Sequence, residues 1–143
     1  MPDCQPEGPA SPEQLMRESR THLETAIAFA DQRMPRPSLS YASRSARLFL
    51  EAYYAKGQRS LPARSPAYDY HLLRYAADQG ALALADELLL RSLWYVSEQY
   101  DYILAGSGAG IPIRRLLTKL LTLLEQMEAA VLSPAYLRRR PSS

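Results

Sequence analysis

Residues 112–132, PIRRLLTKLLTLLEQMEAAVL, indicate the fold class of this chain. Leucine recurs there at helical spacing, and Pro112 suits the first turn of a helix. The apolar residues cover more than one face, which is typical of a helix that is central in a bundle or shared with a second copy. These residues are Leu116, Leu117, Leu120, Leu121, Leu123, Leu124, Met127 and Val131.

The first half of the chain contains signals for two further helices. Ser11 opens a capping-box pattern ahead of a seam of apolar residues at helical spacing. The proline-containing run 34–37 is expected to end this helix, because a proline disfavours helical backbone at the residue before it. We therefore expect the second helix to begin at Ser38 or Ser40 and to end at Gly57. Its predicted buried face consists of Ala42, Ala46, Phe49, Leu50 and Tyr53.

Prolines and glycine in residues 57–67 predict a loop. A short third helix is expected over about 67–79, with Leu72, Leu73 and Ala76 facing inward, and a fourth over about 81–104. No segment keeps the two-residue alternation of a strand, so we expect an all-α, up-and-down bundle of four long helices and one short helix. The fourth helix is predicted to bury Leu82, Ala85, Leu89, Leu93, Val96, Tyr100 and Ile103.

The size and charge of the chain limit the classes of protein to which it can belong. Its 143 residues fit one domain, which we place at 11–132 between a disordered N-terminus (1–10) and a flexible basic C-terminal tail (133–143). A formal net charge of +2 does not require a nucleic-acid or membrane partner. The single cysteine, Cys4, fits a reducing compartment, and no secretory signal or membrane-length apolar run is evident. We therefore expect a cytoplasmic protein without a membrane partner.

Residues that could support catalysis are few. The two histidines, His22 and His71, cannot form a His/Cys metal cluster, so no metal or cofactor is expected. No nucleophile-elbow motif is present. The glycine-rich run 105–110 precedes Arg114 and Arg115 and resembles an anion-binding loop. Because it joins two predicted helices and lacks a phosphate-loop ending, we interpret it as a hinge.

Ten tyrosines are unusual for this length and suggest a contact surface. Tyrosine and arginine are favoured at interfaces because they bury a large area while they keep a polar group. An alternative is that tyrosine merely covers the ends of the bundle. The predicted interface residues are Tyr68, Tyr70, Tyr75, Tyr95, Tyr100, Tyr102, Arg114, Arg115, Leu117, Leu121 and Leu124.

The order of these segments over about 11–132 resembles the HEPN superfamily of small helical bundles. An Ala-rich second helix that ends in a glycine (40–57) looks like the family's second helix. The segment His71-Leu72-Leu73 looks like its short helix, and Gln99-Tyr100-Asp101-Tyr102 lies near the position of an Arg-Tyr-Pro pattern.

The resemblance also implies what activity to expect. Active HEPN members cleave RNA with an Arg-x(4–6)-His motif near the fourth helix, where this chain has no histidine. Arg64 and His71 do have that spacing, but Arg64 lies in the proline-rich loop. The resemblance therefore implies a non-cleaving member that serves as a binding or dimerisation module.

Three hypotheses about function follow. The first is a non-catalytic interaction module of the bacterial cytosol that self-associates through residues 112–132 and binds a partner protein. The second is a HEPN-type RNase or RNA-binding protein that uses Arg64 and His71, with Tyr68 or Tyr70 assisting. The third is a small secretion-type chaperone or adaptor whose Tyr/Leu surface binds a client segment.

Overall fold

The computed structural model describes residues 11–58, 60–100 and 112–132, and all regular elements in these ranges are α-helices. This confirms the all-α prediction for the described residues. None of these helices is long and apolar enough to cross a membrane. The predicted terminal segments 1–10 and 133–143, and the predicted hinge at 105–110, lie outside the described residues. The helices are α1 (Pro12–Asp31), α2 (Pro35–Gln58), α3 (Tyr68–Asp78), α4 (Leu84–Glu98) and α5 (Ile113–Leu132).

The connection between α1 and α2 is shorter than the sequence predicted. α2 begins at Pro35, so the predicted start at Ser38 or Ser40 was wrong. The first N–H groups of a helix have no intrahelical partner, so prolines in that turn cost no hydrogen bond. Arg33 adopts a positive φ of 59° and reverses the chain, and the Met34 N–H donates to the Phe29 carbonyl at 2.9 Å. The two helices therefore form a tight antiparallel pair.

Small residues allow α1 and α2 to approach closely. The Ser19 hydroxyl donates to the Ser45 carbonyl at 2.8 Å, and the Ser38 hydroxyl donates to the Ala26 carbonyl at 2.8 Å. Each buried hydroxyl thus has an acceptor, as burial requires. The predicted inner faces of α2 and α3 are confirmed, because all of their predicted residues are buried.

Helix α5 packs against α1, α2 and α4. Of the two interpretations of its broad apolar surface, the structure therefore favours a central position in the bundle. Arg20 on α1 also forms two hydrogen bonds to the Glu128 carboxylate, at 2.6 and 2.9 Å. The side chains that α5 buries are Leu117, Leu120, Leu123, Leu124, Met127 and Val131.

The predicted inner stripe of the fourth helix is confirmed only in part. Leu82, just before α4, and Leu93 are buried as predicted, whereas Ala85 is exposed and Leu89 is half-buried. The other buried side chain of α4 is Leu90, which was not predicted. Apolar residues occur on more than one face of α4, so periodicity alone did not identify the inner face. The helix starts at Leu84 rather than near residue 81, because the Asp86 carboxylate accepts a hydrogen bond from the Ala83 N–H at 2.9 Å. The predicted extension over 101–104 lies outside the described residues.

Candidate functional site

A groove of about 630 Å³ lies between α4 and α5. Ala85, Leu88 and Leu89 line it from α4, and Leu116 and Leu123 line it from α5. Its volume falls in the range of protein binding sites, and most of its lining is apolar. The groove is therefore a surface at which apolar groups of another molecule can leave water.

An exposed apolar stripe continues from the groove along α4. Leu84, Leu88 and Tyr95 are 69%, 55% and 61% exposed. Their separations of four and seven residues place them on one side of the helix. Single exposed apolar residues are ordinary on protein surfaces, but a contiguous set beside an apolar groove is typical of an interaction site.

The two walls of the groove carry opposite charges. Arg115 and Lys119 lie on the α5 wall, and Asp86 lies on the α4 wall. Within the described ranges no carboxylate forms an ion pair with either cation, although other arginines of the domain do have such partners. The groove thus combines an apolar floor with two cations, Arg115 and Lys119, that form no ion pair within the described residues.

A second group of polar side chains lies between α2 and α3. The Tyr68 hydroxyl donates to Oε2 of Glu51, and both side chains are buried. Burial, followed by this hydrogen bond, raises the pKa of the Tyr68 phenol well above its ordinary value of 10.0. One turn away, Arg47 donates to both oxygens of Asp69 at 2.7 and 3.0 Å. The Arg64 guanidinium lies 4.4 Å from the centroid of the Tyr68 ring.

The contacts of this second group hold α3 on α2. The Tyr68 proton is held by Glu51, so the phenol has no free donor for a substrate. The hydrogen bonds to Asp69 raise the pKa of Arg47, which keeps this pair charged. His71 is exposed on the outer side of α3. Arg64, Tyr68 and His71 are therefore near one another in sequence, but the Tyr68 hydroxyl is bonded to Glu51 in the core while His71 is exposed.

The predicted interface residues lie in three different environments. Tyr68, Leu117 and Leu124 are core residues, so they contribute to the stability of the domain and not to its surface. Tyr70 and Tyr95 are exposed, and Arg115 lines the groove. Tyr102 lies outside the described residues.

The remaining predicted interface residues make contacts within the domain. Tyr75 is half-buried, with its ring centroid 4.8 Å from that of Tyr54. Tyr100 lies beneath the Arg36 guanidinium at 5.8 Å. Arg114 forms an ion pair with Asp31, and Leu121 lines a small cavity between α1 and α5.

Sequence reasoning missed three residues at or beside the groove. Leu88 and Lys119 line it and Leu84 is exposed beside it, and none of them was among the predicted interface residues. The available signal was the extra apolar content of 84–96 beyond what a single buried stripe needs. In the part of the chain that the structure describes, no group of three His, Cys, Asp or Glu side chains could hold a metal ion.

In comparisons with known proteins, no family model, no curated protein and no solved structure matches this chain. The HEPN resemblance stays a prediction from the sequence.

Proposed function

We propose that this chain is a non-catalytic protein-interaction module that binds a helical segment of another chain in the groove between α4 and α5. The observation that carries the proposal is the exposed Leu84–Leu88 stripe beside an apolar groove. A monomer that leaves such a surface in water forgoes about 25 cal/mol for each Å² of apolar area that a partner would bury.

The shape and charge of the groove favour an amphipathic helix as the occupant. A helix that is laid between two others places residues at positions i, i+3, i+4 and i+7 against the groove. Arg115 and Lys119 on the rim favour acidic residues beside that apolar stripe. The proposed occupant is therefore a helix with an apolar stripe and an acidic flank. A chaperone or adaptor would use the same groove for a client segment.

The polar cluster between α2 and α3 supports a binding function over an enzymatic one. Glu51 and Tyr68 satisfy each other inside the core, and Arg47 is held by Asp69. Such pairs fix one helix on another and leave no open group for a substrate. A cytoplasmic bacterial location, a HEPN-like relationship and an up-and-down order of four long helices belong to this proposal as predictions from the sequence.

A pull-down with a matched pair of variants tests the proposal. Leu88→Arg places a cation in the groove, whereas Leu132→Arg makes the same change at a leucine that is 45% exposed at the end of α5. Tagged full-length proteins are incubated with native host lysate, and bound protein and nucleic acid are analysed from the same eluate. We expect the wild type and Leu132→Arg to retain one stoichiometric partner that Leu88→Arg loses.

Two outcomes would contradict the proposal. One is a stoichiometric partner that binds Leu88→Arg as well as it binds the wild type, since the groove would then not be the site. The other is RNA without any protein partner, released at high salt, because phosphate contacts are weakened by added ions. That result would favour the RNA-binding alternative.

A further inference from the structure

We infer that the helix bound in the groove is α4 of a second copy of this chain, related to the first by a two-fold axis. This inference rests on the proposed function, because it names the occupant of the same groove.

The apolar surface has the arrangement that a symmetric dimer requires. In a two-fold interface the same patch is used by both copies, so one patch must supply both the inserted group and the receiving surface. Helix α4 meets this condition, because Ala85, Leu88 and Leu89 line the groove while Leu84 and Tyr95 are exposed beside it. When two α4 helices cross near Leu88, the stripe of each copy covers the groove of the other.

The charges in the groove are self-complementary in the same arrangement. The α4 wall contributes Asp86, and the α5 wall contributes Arg115 and Lys119. Glu87, the other carboxylate in the first turn of α4, is already paired with Arg74 at 3.2 Å in its own copy. A second α4 in the groove brings its Asp86 towards the cationic wall, and the symmetry provides this contact twice.

The terminal segments of the chain are less suitable occupants. Residues 133–143 contain Arg138, Arg139 and Arg140, which have the same sign of charge as the α5 wall. Residues 1–10 contain Asp3 and Glu7, but they include three prolines and few large apolar side chains. Binding of either segment within one copy would not depend on protein concentration, whereas the fraction of dimer rises with concentration.

Sedimentation velocity of the full-length protein across the micromolar range tests the inference. The wild type is compared with Arg115→Glu/Lys119→Glu, which reverses the charge of the α5 wall, and with Asp86→Asn. Asparagine can still accept the hydrogen bond from the Ala83 N–H, so the start of α4 is retained while its charge is removed. Thermal unfolding of each variant checks that the monomer still folds.

We expect the wild type to dimerise and the double charge reversal to raise the dimer Kd by about tenfold or more, which corresponds to about 1.4 kcal/mol. Asp86→Asn should raise the Kd less and should reduce its dependence on salt concentration, because one partner of each charge pair is lost. Leu88→Arg should give a monomer, whereas Leu132→Arg should dimerise like the wild type.

A monodisperse wild-type monomer throughout this range would overturn the inference, and so would a dimer unaffected by both the charge reversal and Leu88→Arg. The pull-down separates these failures from a failure of the proposed function. If the wild type is monomeric but binds another protein that Leu88→Arg does not bind, the inference fails and the proposed interaction module stands. If Leu88→Arg changes neither self-association nor partner binding, both fail.

Discussion

The Tyr68 hydroxyl donates a hydrogen bond of 2.5 Å to Oε2 of Glu51, and this contact joins α3 to α2 inside the core. A buried carboxylate is costly unless it is hydrogen-bonded, so the phenol offsets part of the cost of burying Glu51. The bidentate pair between Arg47 and Asp69 makes a second link between the same two helices. The register of α3 on α2 therefore depends on polar contacts as well as on leucine packing.

Removal of the Tyr68 hydroxyl should destabilise the domain. Tyr68→Phe leaves the buried Glu51 oxygen without this donor, and we expect the free energy of unfolding to fall by about 1–3 kcal/mol. Urea denaturation followed by circular dichroism measures the change. Tyr70→Phe removes a hydroxyl from an exposed tyrosine and should change stability by less than about 0.5 kcal/mol. Equal effects of the two substitutions would show that the Glu51 contact adds nothing to stability.

The same contact predicts a loss of stability at alkaline pH. The pKa of Tyr68 is raised in the folded state, so the neutral phenol is favoured there. Its contribution is fully present below the unfolded-state pKa of about 10 and is lost as the pH rises from there through the folded-state pKa. Unfolding free energies measured above pH 10 should therefore fall more steeply for the wild type than for Tyr68→Phe. Identical slopes would contradict the raised pKa.

Gly57 is required by the packing of Tyr75. A Cβ atom at position 57 would overlap the Tyr75 hydroxyl and lie 3.2 Å from Cζ of that ring. The ring cannot move freely, because it packs against Tyr53 and Tyr54 with centroid distances of 5.7 and 4.8 Å. We expect Gly57→Ala to destabilise the domain, although alanine normally stabilises a helix interior by about 0.5–1 kcal/mol relative to glycine.

A double-mutant cycle measures this steric conflict. Tyr75→Phe removes the overlapping oxygen, so Gly57→Ala should cost at least about 1 kcal/mol less in that background than in the wild type. Thermal and urea unfolding of the four proteins give the coupling energy. Additive effects would show that Gly57 and Tyr75 do not constrain each other.

RNA should remain intact in the presence of this protein. Tyr68 is bonded to Glu51 and cannot assist His71, and His71 is exposed on α3 rather than enclosed in a cleft with Arg64. We expect a labelled single-stranded RNA to show no cleavage after incubation with excess wild type or His71→Ala, while added ribonuclease degrades it. Cleavage by the wild type that His71→Ala abolishes would establish the RNase alternative instead.

Local sequence signals predicted the described helices well where one apolar stripe is present. The inner faces of α2 and α3 follow directly from their spacing, since residues three or four apart share a helix face. The start of α2 could not be predicted in this way, because a proline is compatible both with the end of one helix and with the first turn of the next. The turn at Arg33, which decides between them, depends on the packing of α1 against α2.

The candidate site was much less predictable than the fold. Leu117 and Leu124 have the same spacing and chemistry as surface-forming leucines, and only their burial in the folded bundle assigns them to the core. Conversely, Leu84 and Leu88 resemble core residues in the sequence, yet α4 turns its Leu90–Leu93 side inward and leaves them in water. A helix with apolar residues on two sides has two plausible orientations, and its neighbours determine which one is adopted.

Local sequence patterns were thus sufficient to predict the helical content of the described residues and the inward faces of α2 and α3, because helix propensity and periodicity act over a few neighbouring residues. The exposed face of α4 and the groove between α4 and α5 arise only when the helices pack together. So does the pairing of Tyr68 with Glu51. These features depend on contacts between residues distant in sequence. The free energy of each contact depends on how deeply it is buried, and burial cannot be predicted from neighbouring residues alone.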